Sequence, residues 1–312
     1  KPFCNGWARV SKKKKTWFIN ELGQKLNHHK YRYATDFTHQ GIAVVGRRKQ
    51  FEVINRQGKN IHGEKFDFRI DFASSNFALS RKGKTWYVVT TTGAISLIDT
   101  QIQRVDTFSE GYCAVKIKGL WGYVDSTGAL VIPCQYQKAR PFSNGLAAVE
   151  YPDGKQSFID PAGQTKFDYT GSLVHDFHEG FAVLVQDHQT IIIDTTGQKV
   201  FDRVFSDAQS FYQGYARVRV ANHWGLINTQ GQFVLRPIYH QIYECKDGFY
   251  RFSSIGKYGL IDPFSQEILI EPIYDQITFL TPEIIRAETP NRIDYFNTHL
   301  GWIWNETYTL TK

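Results

Sequence analysis

The chain has no methionine, not even at position 1, and only four cysteines in 312 residues: Cys4, Cys113, Cys134 and Cys245. None of the four sits in the C-x-x-C spacing of zinc and redox sites, so cysteine-based metal chemistry is not expected. A first residue other than methionine suggests that a leader or flanking segment has been removed, which favours export to the cell envelope over the cytoplasm. No run approaches the roughly 18 uninterrupted apolar residues a membrane helix needs, and the chain is expected to be soluble. No window carries the i, i+3, i+4, i+7 apolar stripe with caps that marks an amphipathic helix, so helix content is expected to be low. Phosphate-loop, G-x-S-x-G and dinucleotide motifs in a strand-to-helix setting are missing as well, and enzyme function is not expected.

Acid is scarce in one place. Residues 1–105 hold 20 lysines and arginines against 7 acids, whereas residues 106–312 hold 17 against 23, and the whole chain carries +7. Such one-ended charge points to an acidic partner. What is abundant is core material: 42% of residues are hydrophobic and 15% aromatic, which excludes disorder.

The apolar residues recur. A polar residue closes an apolar run at Asn20, Asn55, Thr90, Asp125, Asp160, Asp194, Asn228, Asp262 and Asn297, always 34 or 35 residues apart. In the first seven units a glycine follows three residues later, from Gly23 to Gly231. Asp or Asn at the first position of a turn with Gly at the fourth is type I turn chemistry, and Pro161 and Pro263 occupy the second position, where proline's fixed φ also fits. Upstream, a phenylalanine (Phe37, Phe108, Phe142, Phe177, Phe211) precedes a glycine by three or four residues. A small residue and often a valine then alternate, as in Ala147 and Val149. That period of two is a strand.

The spacing therefore predicts an all-β chain of nine tandem repeats of three antiparallel strands, at about 3–36, 37–71, 72–107, 108–141, 142–176, 177–210, 211–244, 245–279 and 280–312. The last is the most eroded, as a capping unit would be, with Glu283 where others place glycine. Stacking into an open β-solenoid or superhelix is favoured, with a closed β-propeller as the alternative.

Phe108 to Val115, then Trp121-Gly-Tyr-Val-Asp125, Gly128, Val131-Ile-Pro133 and Tyr136, resemble the WG repeat of bacterial proteins, and Trp224-Gly-Leu-Ile-Asn228 and Tyr258-Gly-Leu-Ile-Asp262 repeat the pattern. Elsewhere the dipeptide has decayed, to Phe51-Glu52, Trp86-Tyr87 or Gln156-Ser157 for example. The resemblance implies a bacterial repeat scaffold and transfers no catalytic residue and no cofactor.

The candidate site is a set of loops between the first two strands of successive units. They hold Lys12, Lys13, Lys14 and Lys15, then Arg47, Arg48 and Lys49, then Arg81, Lys82 and Lys84, then Lys116 and Lys118. Stacked in register they would form a basic ridge along one edge. The bland reading is that lysines at hairpin tips keep edges soluble; the absence of acids from these loops favours function. The expected role is a non-catalytic scaffold docking an acidic protein or anionic envelope component. Nucleic acid bound through the same ridge is the alternative, although aromatic residues for base stacking are lacking at the tips. An envelope-polymer hydrolase comes third. The recurring Asp125, Asp160, Asp194 and Asp262 read as turn formers, and the ten histidines, His28, His29, His39 and His62 among them, as loop residues and not metal ligands. The cysteines read as small structural side chains, with a Cys113–Cys134 disulfide left open.

Overall fold

The computed structural model describes residues 3–72, 76–98, 101–244, 248–263, 265 and 267–307. Among them there is no α-helix; the strands form nine small antiparallel sheets, each a meander of sequence neighbours. Two compact units divide the chain, Lys1–Tyr169 and Thr170–Lys312.

Five sheets lie in the first unit. They are Ala8–Lys12 with Lys15–Ile19; Tyr33–Ala34, Ile42–Arg47 and Gln50–Asn55; Phe77–Lys82, Thr85–Thr90 and Ile95–Leu97; Ile102–Ser109, Tyr112–Ile117, Leu120–Asp125 and Leu130–Tyr136; and Lys138–Ala139, Ala147–Glu150, Gln156–Ile159 and Thr165–Tyr169. Four lie in the second: Leu173–Val174, Phe181–Gln186 and Gln189–Asp194; Asp207–Ala208, Tyr215–Val220, His223–Asn228 and Phe233–Tyr239; Gln241–Glu244, Tyr250–Ser254, Lys257–Asp262 and Glu267–Tyr274; and Gln276–Phe279, Ile284–Thr289, Arg292–Asn297 and Gly301–Thr307.

The three-stranded unit expected from sequence thus needs correction, because five of these sheets have four strands. The added strand lies at or just ahead of the phenylalanine. It is as short as Lys138–Ala139, below the run of about four residues at which alternation becomes visible. The eroded last unit is also a complete four-stranded sheet. It is locked by Asp294, only 1% exposed, which accepts hydrogen bonds from Tyr274 Oη (2.9 Å), Arg292 Nη2 (2.6 Å) and Trp302 Nε1 (3.0 Å).

No sheet could bury its apolar surface alone, because the inner strands are apolar on both faces. Cys113, Val115 and Val124 of the fourth sheet pack on Leu79, Trp86 and Val88 of the third, while Ala114, Tyr123 and Ile132 face Ala147, Val149 and Ile159 of the fifth. In the second unit Leu226 and Leu235 meet Tyr250 and Phe252, and Leu260 and Ile270 meet Ile285 and Ala287. Burying each of the Val, Leu, Ile and Phe side chains among these contributes about 1.5–3 kcal/mol, so neighbouring sheets stabilise one another and the array has no self-sufficient single repeat.

Turns set the register. Asp125 Oδ1 accepts the N–H groups of Thr127 (2.8 Å) and Ala129 (3.1 Å), and Gly128, at φ +90°, donates its N–H to the Asp125 carbonyl. Asn20, Asn55, Asp160, Asp194 and Asn228 accept the same pair of donors. The recurring carboxylates are turn acceptors. At the other end of the hairpins, two turns that follow a phenylalanine touch the next sheet: Glu110 accepts from Asn144 N (2.7 Å) and Gly145 N (2.8 Å), and Glu179 accepts from Gln213 N and Gly214 N.

The glycine of the Trp-Gly pair has a steric cause. A Cβ on Gly122 would lie 2.5 Å from Ile132 O and 2.8 Å from Cys134 N, because the outer strand bulges across it, and pairing steps from Trp121–Tyr136 to Tyr123–Ile132. Where Ser157 or Asp294 stands there, the outer strand pairs directly, through Asp168 or Asn305.

Candidate partner-binding edge

The basic residues occupy equivalent hairpin tips in the first four sheets. Lys13 and Lys14 join the first hairpin with φ +50° and +60°, and Arg48 and Lys49 the second with φ +50° and +67°. Both central residues of each turn are left-handed, the geometry that matches the right-handed twist of a hairpin and that Asn-Gly satisfies best. A lysine or arginine there costs about 1–2 kcal/mol. In the third and fourth tips glycine takes part of this load, as Gly83 beside Lys82 and Lys84 and as Gly119 beside Lys118. Lys12 to Lys15, Arg48, Lys49, Lys82, Lys84 and Lys118 are exposed; Arg47, Arg81 and Lys116 are half-buried.

The second and third tips each contact the outer segment of the sheet before them. Arg47 lays its guanidinium over the ring of Tyr31, which belongs to the outer segment of the first sheet, at 5.6 Å. Lys82 Nζ reaches Glu64 Oε2 at 2.7 Å, and Gly83 N donates to Asp67 Oδ2 at 2.7 Å, both acids lying in the segment that follows the second sheet's hairpin. The hydrogen bond and the charge of Glu64 raise the pKa of Lys82. The surroundings of the tips are therefore less pure in sign than their loops suggest: Glu52 stands in the second tip's own hairpin, and Glu64 and Asp67 come beside the third tip from the preceding segment. Arg81 and Lys116 lie over their own sheets' tryptophans, Trp86 at 5.5 Å and Trp121 at 5.8 Å, and spend part of their reach on packing.

The sequence reading missed one cation. Arg47, Arg48, Gln50, Glu52 and Lys65 line a cavity of about 380 Å³ at the second tip. Lys65 comes from outside the tip loop. Its signal was positional, since Lys30 and Lys65 stand 35 residues apart, each just before a buried aromatic, Tyr31 and Phe66.

The remaining candidates are structural. Cys113 and Cys134 carry free thiols, so the disulfide left open above is not formed; Cys113 donates to Asp106 O, and burial pushes its pKa far above the ordinary value. Cys245 lies outside the described residues. His62 is buried against Thr90 O at 2.9 Å, joining the second sheet's loop to the third, and burial lowers its pKa. No group of three or more His, Cys, Asp or Glu arranged to hold a metal occurs among the described residues. No described helix is long and apolar enough to cross a membrane.

The model of the WG containing repeat matches residues 89–121, 121–155, 192–222, 224–257 and 258–281, together half of the chain. A comparison with curated proteins returns no significant match. Among solved structures, a crystal structure of the eukaryotic initiation factor aligns over 96% of this chain and 95% of its own, with a TM-score of 0.55 at 10% identity. The computationally designed Ika8 protein covers 79% of this chain and 90% of its own (TM-score 0.42, 16% identity), and BamB from Moraxella catarrhalis 81% and 92% (TM-score 0.40, 12% identity). At such identities the similarity concerns fold alone.

Proposed function

Because the chain belongs to the family of WG containing repeat proteins, we propose that it is a non-catalytic scaffold whose first unit docks an acidic protein through the cationic hairpin tips. One observation carries the proposal: cations fill left-handed turn positions at successive tips, Lys13-Lys14 and Arg48-Lys49, where the backbone would be better served by Asn-Gly. A scaffold role is supported by the repeats themselves, which present equivalent side chains at a regular spacing along stacked sheets. The non-catalytic reading is supported by Asp125, Asp160 and Asp194, each of which commits an oxygen to two turn N–H groups.

Retention on immobilised poly-glutamate tests the proposal. Serine in place of Lys13, Lys14, Arg48, Lys49 and Lys118 should bring elution to markedly lower salt than serine in place of five cations elsewhere on the chain, at equal net charge. Equal elution of the two variants would leave only bulk charge and remove the ridge. If double-stranded DNA retains the wild type more strongly than poly-glutamate, with a steep salt dependence, the occupant is nucleic acid instead.

A further inference from the structure

Resting on the reading of this edge as a docking surface, we infer that the cavity at the second tip is a binding site for a phosphomonoester dianion, carried by the acidic protein partner as a phosphorylated side chain. Three cations, Arg47, Arg48 and Lys65, line it against a single carboxylate, Glu52. That carboxylate is already spent: its Oε1 lies 3.3 Å from Arg47 Nη2 and its Oε2 accepts from Asn60 Nδ2 at 3.1 Å. Glu52 therefore lines the cavity with both oxygens already engaged and orients Arg47. The same guanidinium also lies over the Tyr31 ring at 5.6 Å, so Arg47 is restrained by two contacts and offers further N–H donors of its planar fork.

Charge selects the ligand class. The lining carries a formal +2, which a phosphomonoester, at about −1.5 to −2 near pH 7, neutralises. A carboxylate or a phosphodiester brings a single negative charge and leaves a cation unpaired in a partly enclosed site. The volume, about 380 Å³, lies at the small end of the range for ligand pockets and suits a phosphate group with a short attachment. The exposed Lys49, next to Arg48 in the chain, would meet acidic residues flanking the phosphate and raise the local anion concentration.

Isothermal titration of the full chain at pH 7.5 and constant ionic strength tests the site. Methyl phosphate should bind one to one, with dimethyl phosphate and acetate at least tenfold weaker. Lowering the pH to 5.5, below the second phosphate pKa of about 6, should weaken methyl phosphate roughly fourfold. Arg48→Gly should cost at least tenfold while leaving the fold intact or firmer, since glycine takes φ +50° without strain; Lys65→Gln should act in the same direction, and Lys166→Gln should not. Equal binding of acetate or dimethyl phosphate, or affinity indifferent to both Arg48→Gly and Lys65→Gln, overturns the site. A pentapeptide Asp-Asp-phosphoserine-Asp-Asp should bind more tightly than glucose 1-phosphate, by a margin that shrinks with salt; equality would overturn the protein source in favour of a phosphorylated sugar. Failure here is separable from failure of the docking edge: a wild type that ignores methyl phosphate yet stays on poly-glutamate loses the site and keeps the edge.

Discussion

The hairpin tips of the two units share a backbone and differ in what they carry. In residues 1–169 the left-handed pairs are Lys13-Lys14 and Arg48-Lys49; in residues 170–312 the pair Asp187-His188 has φ +50° and +62°, and Ala221 and Ile255 begin their turns at +52° and +49°. An acid, an imidazole, a methyl and a branched alkyl group all meet the same requirement, so the turn does not ask for charge. The hairpin geometry alone therefore gives no reason for the cations of the first unit. The totals agree, with 26 lysines and arginines against 14 acids in residues 1–169 and 11 against 16 in residues 170–312. In the second unit several arginines are used in packing: Arg217 donates to Ile242 O at 2.9 Å, Arg251 lies between the rings of Tyr243 and Tyr258, and Arg292 clamps Asp294.

The largest expected effect breaks that inward use of charge. Asp294→Ala should destabilise the second unit by about 3 kcal/mol in urea unfolding, because it strips a buried carboxylate from three donors and leaves them without an acceptor; a loss under about 1 kcal/mol would show the cluster to be ornamental. Its pH dependence follows from sign. Desolvation raises the Asp294 pKa, but the bonds from Trp302, Arg292 and Tyr274 outweigh it and the net shift is downward, while Tyr274 is pushed up to about 12. A carboxyl whose folded pKa lies below its unfolded value of about 3.9 contributes stability at higher pH and loses it as pH falls below about 4. Asp294→Ala should flatten that acid limb.

A middle effect sharpens the comparison. Replacing Lys13-Lys14 or Arg48-Lys49 by Asn-Gly should stabilise the first unit by about 1 kcal/mol per tip, and the same replacement of Asp187-His188 should stabilise the second by a similar amount. Only the first pair of changes should lower retention on poly-glutamate. Gains of equal size with retention unchanged throughout would mean that the basic tips are an ordinary solvated edge.

Much of the fold was legible because turn chemistry repeats. Asp or Asn with glycine three residues on located the hairpins, and the structure shows the side chain bonding the two N–H groups ahead that make this so. The two-residue strand Lys138–Ala139 was not legible, since two residues cannot display alternation. Decay of the Trp-Gly pair was visible but unexplained in sequence; it follows the bulge over Gly122, which is dispensable where Ser157 pairs directly with Asp168. Of the candidate edge, the tips could be read and their environment could not. Glu64 and Asp67 reach Lys82 and Gly83 from 18 and 16 residues away, and Lys65 enters the cavity from outside the tip loop, marked in the sequence only by its 35-residue spacing from Lys30.

The smallest expected effect is the most discriminating. Asp187→Lys together with His188→Lys puts cations into left-handed positions of the second unit without altering the backbone required there. Stability should change by no more than about 0.5 kcal/mol, since neither the old nor the new side chains are buried. If alignment of tips creates the edge, an isolated pair of lysines should add little to poly-glutamate retention, because Ala221 and Ile255 fill the turn positions of the following tips and Lys257, beside Ile255, is paired with Asp275 at 2.7 Å. If retention instead rises as much as restoring Arg48 and Lys49 to a ridge-depleted chain would raise it, charge alone accounts for binding, and the regular spacing of the first unit's cations has no part in it. The double change thus separates net charge from geometry at almost no cost to the fold, which neutralising the ridge cannot do by itself.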